Sequence, residues 1–247
     1  MNFKGNLEGK GALVTGGGTG AGRSIALALA AEGCCVAVTG RREEKLQETA
    51  TLGPNDPSIL CHAADVSDRN DVERLFAWAA EALGPIHILV NSAGTNIKQR
   101  AVRDLSPEDF DKLLHINCTG AFNTTWGVLP QMRERQDGLI ININSIAGIR
   151  ASTLGGVAYS ASKFAMTALS RCVALEEGDH GIRVSNIFPG EINTPILDQR
   201  PEPVSDARKA TLLQPEDISA VVALMAKLPP RAHMAEVVLK PTHQQFA

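Results

Sequence analysis

Short apolar segments alternate with longer amphipathic segments along almost the whole chain. Several of the short segments are nearly continuously apolar, which is typical of strands that are covered on both faces of a sheet. Seven segments have this character: residues 11–16, 34–40, 58–65, 87–94, 138–145, 182–190 and 236–241. The pattern therefore predicts seven strands.

Apolar residues recur at helical spacing between these strands. The helices that this spacing predicts cover residues 21–32, 42–51, 68–83, 107–135, 157–179 and 215–227. Pro107 and Pro215 are each followed by two acidic residues, a composition that helix N-termini favour. Strands that alternate with helices predict an α/β fold, a doubly wound parallel sheet of seven strands with helices on both faces.

One long segment, residues 191–213, lacks a clear period and is rich in proline and charge. Irregular loops of this length inside a compact domain often cover a ligand, so we expect a substrate lid here. The rest of the chain shows no internal repeat and no linker between domains. Residues 1–247 are therefore predicted to form a single domain.

The charge balance and the absence of long apolar runs exclude several classes of protein. The chain has 24 basic and 27 acidic residues, a net charge of −3, which argues against a nucleic-acid partner. It lacks the roughly 18–20 apolar residues of a membrane span, and residues 1–10 lack the apolar run of a secretory signal. The five cysteines have no regular spacing, so we expect reduced thiols, no metal site and a cytoplasmic protein.

A glycine-rich turn, TGGGTGAG at residues 15–22, joins the first predicted strand to the first helix. Glycines at such a turn let the backbone approach a pyrophosphate, which the free N–H groups of the helix N-terminus then bind. A flexible turn without a ligand has a similar composition, and the spacing differs from G-x-G-x-x-G. The nucleotide-binding hypothesis assigns the contacts to Gly16, Gly18, Thr19, Gly20 and Gly22.

The second predicted strand ends at Gly40, and Arg41 follows it. An acidic residue here would bind the ribose hydroxyls of NAD, whereas an arginine pairs with the 2′-phosphate of NADP. The sequence therefore favours NADP, with NAD as the second option. The alternative is that Arg41 and Arg42 are solvated charges at the start of a helix.

Tyr159 is the only tyrosine of the chain, and Lys163 follows it four residues later. On a helix these two positions share a face, so the ammonium lies beside the phenol. A free phenol has a pKa of about 10, and a nearby ammonium lowers that pKa by favouring the phenolate. The pair is a candidate acid–base near neutral pH, although an amphipathic pair on a helix surface has the same spacing.

Two further polar residues are candidates for the same site. Ser145 ends the fifth predicted strand, and ligands of open α/β sheets bind outside the carboxyl ends of the strands. Its hydroxyl could bind a substrate oxygen, or it could simply cap a turn. Asn117 lies among apolar residues of a predicted helix, where an amide is often a satisfied core group or marks a bend.

In order and spacing, these features resemble the short-chain dehydrogenase/reductase family. The resemblance covers residues 7–195 and rests on T-G-x-x-x-G-x-G at residues 15–22, N-S-A-G at 91–94, Y-x-x-x-K at 159–163 and P-G at 189–190. It implies a Rossmann fold and hydride transfer between a nicotinamide cofactor and a carbonyl carbon.

The resemblance also implies roles for individual residues. Tyr159 is the acid–base, Lys163 binds the nicotinamide ribose, and Ser145 orients the substrate. Asn117 holds a water in a proton relay to Lys163. The implied cofactor contacts, besides the glycine-rich turn and Lys163, are Asp65 and Val66 at the adenine, Asn91, Ala93 and Gly94 near the ribose, and Pro189, Gly190 and Thr194 near the nicotinamide.

The end of the chain, residues 228–244, resembles the NADP-dependent 3-hydroxy acid (serine-type) dehydrogenase branch. The implied substrate is a small 3-hydroxy acid, whose carboxylate Arg200, Arg208 or Lys209 of the lid segment could bind. Two alternatives stay open: a 3-oxoacyl-thioester reductase, and a cofactor-binding regulator without catalysis. The family also implies a homotetramer built through the helices at 107–135 and 157–179.

Overall fold

The computed structural model of the protein describes residues 7–245, in which seven strands form one parallel sheet. The strands are β1 (Gly11–Thr15), β2 (Cys35–Gly40), β3 (Leu60–Ala63), β4 (Ile86–Asn91), β5 (Gly138–Ile143), β6 (Ile182–Pro189) and β7 (Glu236–Leu239). Their order in the sheet is β3-β2-β1-β4-β5-β6-β7. This is the doubly wound Rossmann topology that the sequence predicts. The secretory-signal argument rests partly on residues 1–6, which lie outside the described range.

Helices cover both faces of the sheet. They are α1 (Gly20–Ala31), α2 (Glu43–Leu52), α3 (Arg69–Ala82), α4 (Pro107–Leu114), α5 (Gly120–Arg135), α6 (Val157–Glu177), α7 (Asp206–Lys209) and α8 (Pro215–Lys227). The core on one face includes α1 and α8, which pack against each other, and the core on the other face includes α3 and α5. Within residues 7–245, no helix is long and apolar enough to cross a membrane.

The continuous apolar character of the strands is explained by these two layers. Successive side chains of a strand point to opposite faces. In β1, Leu13 belongs to the core layer with α3 and α5, whereas Ala12 and Val14 belong to the layer with α1 and α8. Both sets are fully buried, so a strand with only one apolar face would leave one layer unfilled.

The helix predicted for residues 107–135 is present as a continuous helical stretch that contains a π-helical turn. A π-helical turn at His115–Thr119 separates α4 from α5. A π turn inserts one extra residue without ending the helix, so the period of apolar residues barely changes and the interruption is hard to read from sequence. The turn contains Asn117.

The strand predicted for residues 58–65 is shorter in the structure. It is β3, which lies at the edge of the sheet and spans only four residues. The chain leaves the sheet at Asp65, whose carboxylate accepts hydrogen bonds from the backbone N–H and the hydroxyl of Ser67. These bonds turn the chain toward α3 and leave the Asp65 region at the carboxyl edge of the sheet.

The irregular segment 191–213 folds back on itself. Its two ends meet where Ile192 and Leu213 form an isolated bridge, and it contains a 3₁₀ turn at Pro195–Gln199 and the short helix α7. Its first residues lie along the carboxyl edge of the sheet. The segment is thus a compact flap over that edge, and its role as a lid stays a prediction.

Candidate active site

A cleft of about 560 Å³ lies at the carboxyl ends of the strands. Chain connections run in opposite directions from β1 and β4, which are neighbours in the sheet, and such a switch point is where open α/β sheets bind ligands. Many of the predicted site residues line the cleft: Gly16, Gly18, Thr19, Gly20, Gly22, Arg41, Asp65, Val66, Ala93, Gly94, Ser145, Tyr159, Lys163, Pro189, Gly190 and Thr194. Asn91 and Asn117 are not among its lining residues.

The glycine-rich turn forms one end of the cleft and has no room for a side chain at Gly16 or at Gly22. Gly16 adopts a φ of +65°, which favours glycine, and a Cβ there would lie 2.8 Å from the backbone of Ala93. A Cβ on Gly22 would lie 2.3 Å from the carbonyl oxygen of Gly16. Because both obstacles are backbone atoms, side chains at these positions would move the turn that faces the cleft.

A basic wall follows this turn. Arg41, Arg42 and Lys45 line the cleft beside Gly40, which ends β2. A Cβ on Gly40 would meet no neighbouring atom closer than 3.8 Å, so a larger residue would fit there. Although the Lys45 ammonium is paired with Glu48 at 2.6 Å, Arg41 and Arg42 make this position cationic, which suits the 2′-phosphate of a dinucleotide better than a free ribose.

The structure separates Asn91 from the other residues of its motif. The Asn91 side chain is buried, donating to Thr125 and Asn142 and accepting from Thr124. The side chain therefore supports the end of β4 from within the protein, and the assignment of Asn91 as a cofactor contact stays a prediction. Ala93 does reach the cleft, and its N–H is held by the hydroxyl of Thr15 at 3.0 Å.

Ser145, Tyr159 and Lys163 meet at the opposite end of the cleft. Ser145 follows β5, and its hydroxyl accepts from the N–H of Ala147 at 3.1 Å. It is also close enough to the Tyr159 phenol to lower the pKa of that group. The Lys163 side chain is 3% exposed, and its Nζ donates to the carbonyl of Ile143 at 3.0 Å. Nζ lies 5.9 Å from the centre of the Tyr159 ring.

The electrostatics of this group differ from the expectation that Lys163 lowers the pKa of Tyr159. Burial raises the pKa of the Tyr159 phenol above its usual value, while hydrogen bonding to Ser145 and the charge of Arg100 oppose the rise. Burial also lowers the pKa of the Lys163 ammonium to about 8. The cation acting on the phenol in this structure is Arg100, because the ammonium of Lys163 is directed to a backbone carbonyl.

Asn117 is fully buried, and its amide is occupied by protein groups. Its Oδ1 accepts from the N–H of Thr95, and its Nδ2 donates to the carbonyl of Thr95 and to the hydroxyl of Ser162. The geometry therefore favours the interpretation of Asn117 as a core amide whose hydrogen bonds are made within the protein. A Cβ on Gly94 would lie 3.4 Å from this Oδ1 and 3.8 Å from Lys163 Nζ, so Asn117 and Lys163 enclose the same stretch of backbone.

The three basic residues of the lid segment that could bind a substrate carboxylate are paired with acidic side chains of the protein. Arg200 and Arg208 both form ion pairs with Glu191, at 2.8 and 3.0 Å, and Lys209 pairs with Asp206. Arg100, which the sequence does not single out, lines the cleft as Arg200 does. No local motif marks it, because only the folded loop after β4 brings it to the catalytic end.

The end of the chain also reaches the cleft. The side-chain oxygen of Gln244 accepts from the N–H of Glu191 at 3.0 Å, and it leaves no space for a Cβ on Gly190. The segment after β7 therefore holds the turn that carries Pro189 and Gly190. Within residues 7–245, no group of three or more His, Cys, Asp or Glu side chains is arranged to hold a metal ion.

Comparison with known sequences places this geometry among oxidoreductases. A family profile described as short chain dehydrogenase matches residues 10–204. An uncharacterized oxidoreductase of Staphylococcus aureus (strain USA300) is 32% identical over 235 residues, which are 95% of this chain and 98% of that protein. Oxidoreductase UcpA of Salmonella typhimurium is 35% identical over 232 residues, 94% of this chain and 84% of that protein.

Solved structures share the fold over nearly the whole chain. Serine dehydrogenase in its closed form with NADP+ has a TM-score of 0.87 and 31% identity, covering 96% of this chain and 97% of that one. The alcohol dehydrogenase of Thermococcus sibiricus with 5-hydroxy-NADP has a TM-score of 0.86, 26% identity and coverages of 96% and 99%. The 3-ketoacyl-(acyl-carrier-protein) reductase of Brucella melitensis with NADH has a TM-score of 0.85, 26% identity and coverages of 96% and 98%.

Proposed function

Because this chain belongs to the short-chain dehydrogenase family of NAD(P)-dependent oxidoreductases, we propose that it interconverts a secondary alcohol and a carbonyl compound with NADP(H). The observation that carries this proposal is the meeting of Ser145, Tyr159 and Lys163 in the cleft that also contains the glycine-rich turn. The bound nicotinamide supplies or accepts the hydride. The protein supplies position, charge and a proton.

The proposed roles follow from the contacts of each side chain. The Ser145 hydroxyl binds the substrate oxygen, and the adjacent Tyr159 phenol gives a proton to that oxygen during reduction and removes it during oxidation. Lys163 is a buried ammonium on the same helix face, where it binds the cofactor ribose. Asn117 is a positioning residue, since its amide holds the backbone of Thr95 next to Gly94.

Residues at the other end of the cleft support NADP as the cofactor. The glycine-rich turn accommodates the pyrophosphate at the N-terminus of α1, and Arg41 with Arg42 and Lys45 accommodates the 2′-phosphate. Asp65 and Val66 line the part of the cleft proposed for adenine, and Pro189, Gly190 and Thr194 line the part proposed for nicotinamide. The similarity to serine dehydrogenase complexed with NADP+ supports the same choice.

A small 3-hydroxy acid is the proposed substrate, supported by the similarity to serine dehydrogenase. The test is nicotinamide absorbance with purified protein, comparing NADP with NAD against small 3-hydroxy acids, simple alcohols and a 3-oxoacyl thioester. Turnover of a hydroxy acid with NADP is the expected result. Turnover of the thioester alone would favour the reductase alternative, toward which the similarity to 3-ketoacyl-(acyl-carrier-protein) reductase points.

Replacing Arg41 should weaken binding of NADPH but not of NADH. Arg41→Gln removes one cation from the proposed 2′-phosphate site, and a charge-assisted hydrogen bond contributes about 1.5–3 kcal/mol, roughly 10–150-fold in affinity. Because Arg42 and Lys45 remain, we expect a loss of about tenfold for NADPH. Fluorescence titration of both cofactors measures the effect.

The matched control for this change is Arg69→Gln, an exposed arginine at the start of α3 that does not line the cleft. It should leave both affinities unchanged. An equal loss of NADPH and NADH affinity in Arg41→Gln would count against the 2′-phosphate role and in favour of a general effect on the turn.

We also propose that the protein is a homotetramer assembled through α5 and α6. Large apolar side chains on these helices are exposed: Trp126 is 63% exposed, and Phe122 and Phe164 are each more than 40% exposed. Within the described residues these side chains are not needed for the core. Burying them against a second copy would remove apolar surface from water.

A further inference from the structure

We propose that Arg100 forms an anion-recognition subsite, so that the protein selects substrates carrying a carboxylate close to the reacting carbon. This inference rests on the proposed function, since it names the substrate class of the same cleft. Arg100 lines the catalytic end of the cleft together with Ser145 and Tyr159. Its residue type, its fixed position and its lack of an acidic partner each support the assignment.

Arg100 is held rigidly by backbone groups from three segments. Its Nε donates to the carbonyl of Ile97 at 2.6 Å, and its Nη2 donates to the carbonyl of Gln199 at 2.8 Å. Its Nη1 donates to the carbonyl of Leu154. A guanidinium has five N–H donors, so one N–H remains on each terminal nitrogen. Two donors on a planar, fixed group suit the two oxygens of a carboxylate.

The charge of Arg100 is not neutralised by an ion pair. Among the residues that the structure describes, no carboxylate lies within 4.0 Å of its guanidinium. Arg200, the other arginine at this end, is paired with Glu191 at 2.8 Å, and the two side chains are only 13% and 10% exposed. Asp198 also lines the cleft but is exposed. Arg100 and Lys163 are thus the cations at this end without an acidic partner among the described residues, and Arg100 is the one whose charge acts on the Tyr159 phenol.

An unpaired cation in a partly enclosed cleft is costly unless a ligand supplies the opposite charge. Burial and the charge of Arg200 hold the pKa of Arg100 below its usual value, and Arg100 in turn lowers the pKa of the Tyr159 phenol. Arg100 and Tyr159 therefore interact electrostatically. A substrate whose oxygen lies at Tyr159 could place a neighbouring carboxylate at Arg100.

Binding to the NADPH-saturated protein tests the subsite without turnover. Calorimetric titration with 3-hydroxybutyrate and with its methyl ester compares a carboxylate with an uncharged analogue of nearly the same shape. The unsubstituted protein should bind the acid at least tenfold more tightly than the ester. Arg100→Gln should abolish this preference. Arg100→Lys should keep part of it, because the positive charge remains while the planar pair of guanidinium donors is lost.

Arg103→Gln is the matched control, because Arg103 lies three residues away with its side chain 87% exposed. It should keep the preference for the acid. Thermal unfolding of each variant and its NADPH affinity show whether the fold survives. Equal losses for acid and ester in Arg100→Gln, no preference in the unsubstituted protein, or binding of neither probe would overturn the inference.

Turnover separates this inference from the proposed function. NADPH oxidation is measured with acetoacetate and with methyl acetoacetate, and the expected result is a drop of 10–100-fold in kcat/KM for the acid alone in Arg100→Gln. Turnover of both compounds at equal efficiency by the unsubstituted protein would leave the proposed function standing and overturn the subsite. A charge preference in binding without any turnover would support the subsite and contradict the proposed function.

Discussion

Tyr159→Phe should lower turnover by at least a thousandfold and leave cofactor affinity nearly unchanged. The substitution removes only the phenolic oxygen, which lies beside the Ser145 hydroxyl where the substrate oxygen is proposed to bind. General acid–base groups contribute about 10²–10⁴-fold to rates. The hydroxyl is also proposed to hold the substrate, so the upper part of that range applies. Steady-state kinetics and NADPH titration measure the two effects separately.

Ser160→Ala provides the control for this variant. Ser160 is the next residue of α6, it is buried, and its hydroxyl has no hydrogen-bond partner among the described residues. The variant should therefore retain the turnover of the unsubstituted protein. If Tyr159→Phe kept more than a tenth of that turnover, the acid–base role would have to be assigned to another group.

The unique tyrosine offers a spectroscopic readout for the same residue. Because Tyr159 is the only tyrosine, the absorbance of tyrosinate during a pH titration reports its ionisation alone. Burial raises the pKa of this phenol, so the cofactor-free protein should show the transition above the pH of about 10 that is usual for tyrosine. Saturation with NADP+ should move the transition to lower pH, since a positive charge favours phenolate.

Lys163→Met should abolish turnover and at the same time stabilise the cofactor-free protein. The ammonium is 3% exposed and has no acidic partner among the described residues, and burial lowers its pKa to about 8. Relative to a usual pKa of 10.5, that shift corresponds to roughly 3 kcal/mol of destabilisation of the charged form. Methionine removes this cost but leaves the carbonyl of Ile143 without its donor. We expect a net gain of about 2 kcal/mol at pH 7.

The pH dependence of this gain has a definite sign. Below pH 8 the lysine is charged in the folded and in the unfolded chain, so the full cost of burying the charge applies. Between about pH 8 and pH 10.5 the folded protein releases the proton first, and its stability relative to Lys163→Met rises. Above that window the burial cost is gone, so the lost hydrogen bond to Ile143 should leave Lys163→Met slightly less stable than the unsubstituted protein.

Denaturant unfolding at pH 7 and at pH 10 measures the gain, with Lys112→Met as the control because Lys112 is exposed on α4. That control should change stability little at either pH. A loss of stability in Lys163→Met at pH 7 would mean that the hydrogen bond to Ile143 outweighs the burial of the charge.

The sequence by itself determined the order of strands and helices and the chemistry of the cleft. Continuous apolar strands require a core layer on each face, and amphipathic helices supply those layers, so the doubly wound sheet follows from periodicity. The glycine-rich turn and the pair Tyr159 and Lys163 are local patterns as well. Their spacing along one turn or one helix already determines which groups lie together, before any long-range contact forms.

Only the tertiary structure decided which polar groups face the cleft. The sequence groups Asn91 and Asn117 with the residues that line the cleft. In the structure, however, both side-chain amides are buried and form hydrogen bonds with other protein groups. Arg200 is paired with Glu191, while Arg100 has no acidic partner among the described residues and acts electrostatically on Tyr159. Burial and pairing depend on side chains from distant segments, because a charge is neutralised by whatever the fold brings within a few ångströms of it. The sequence lists these groups without giving those distances.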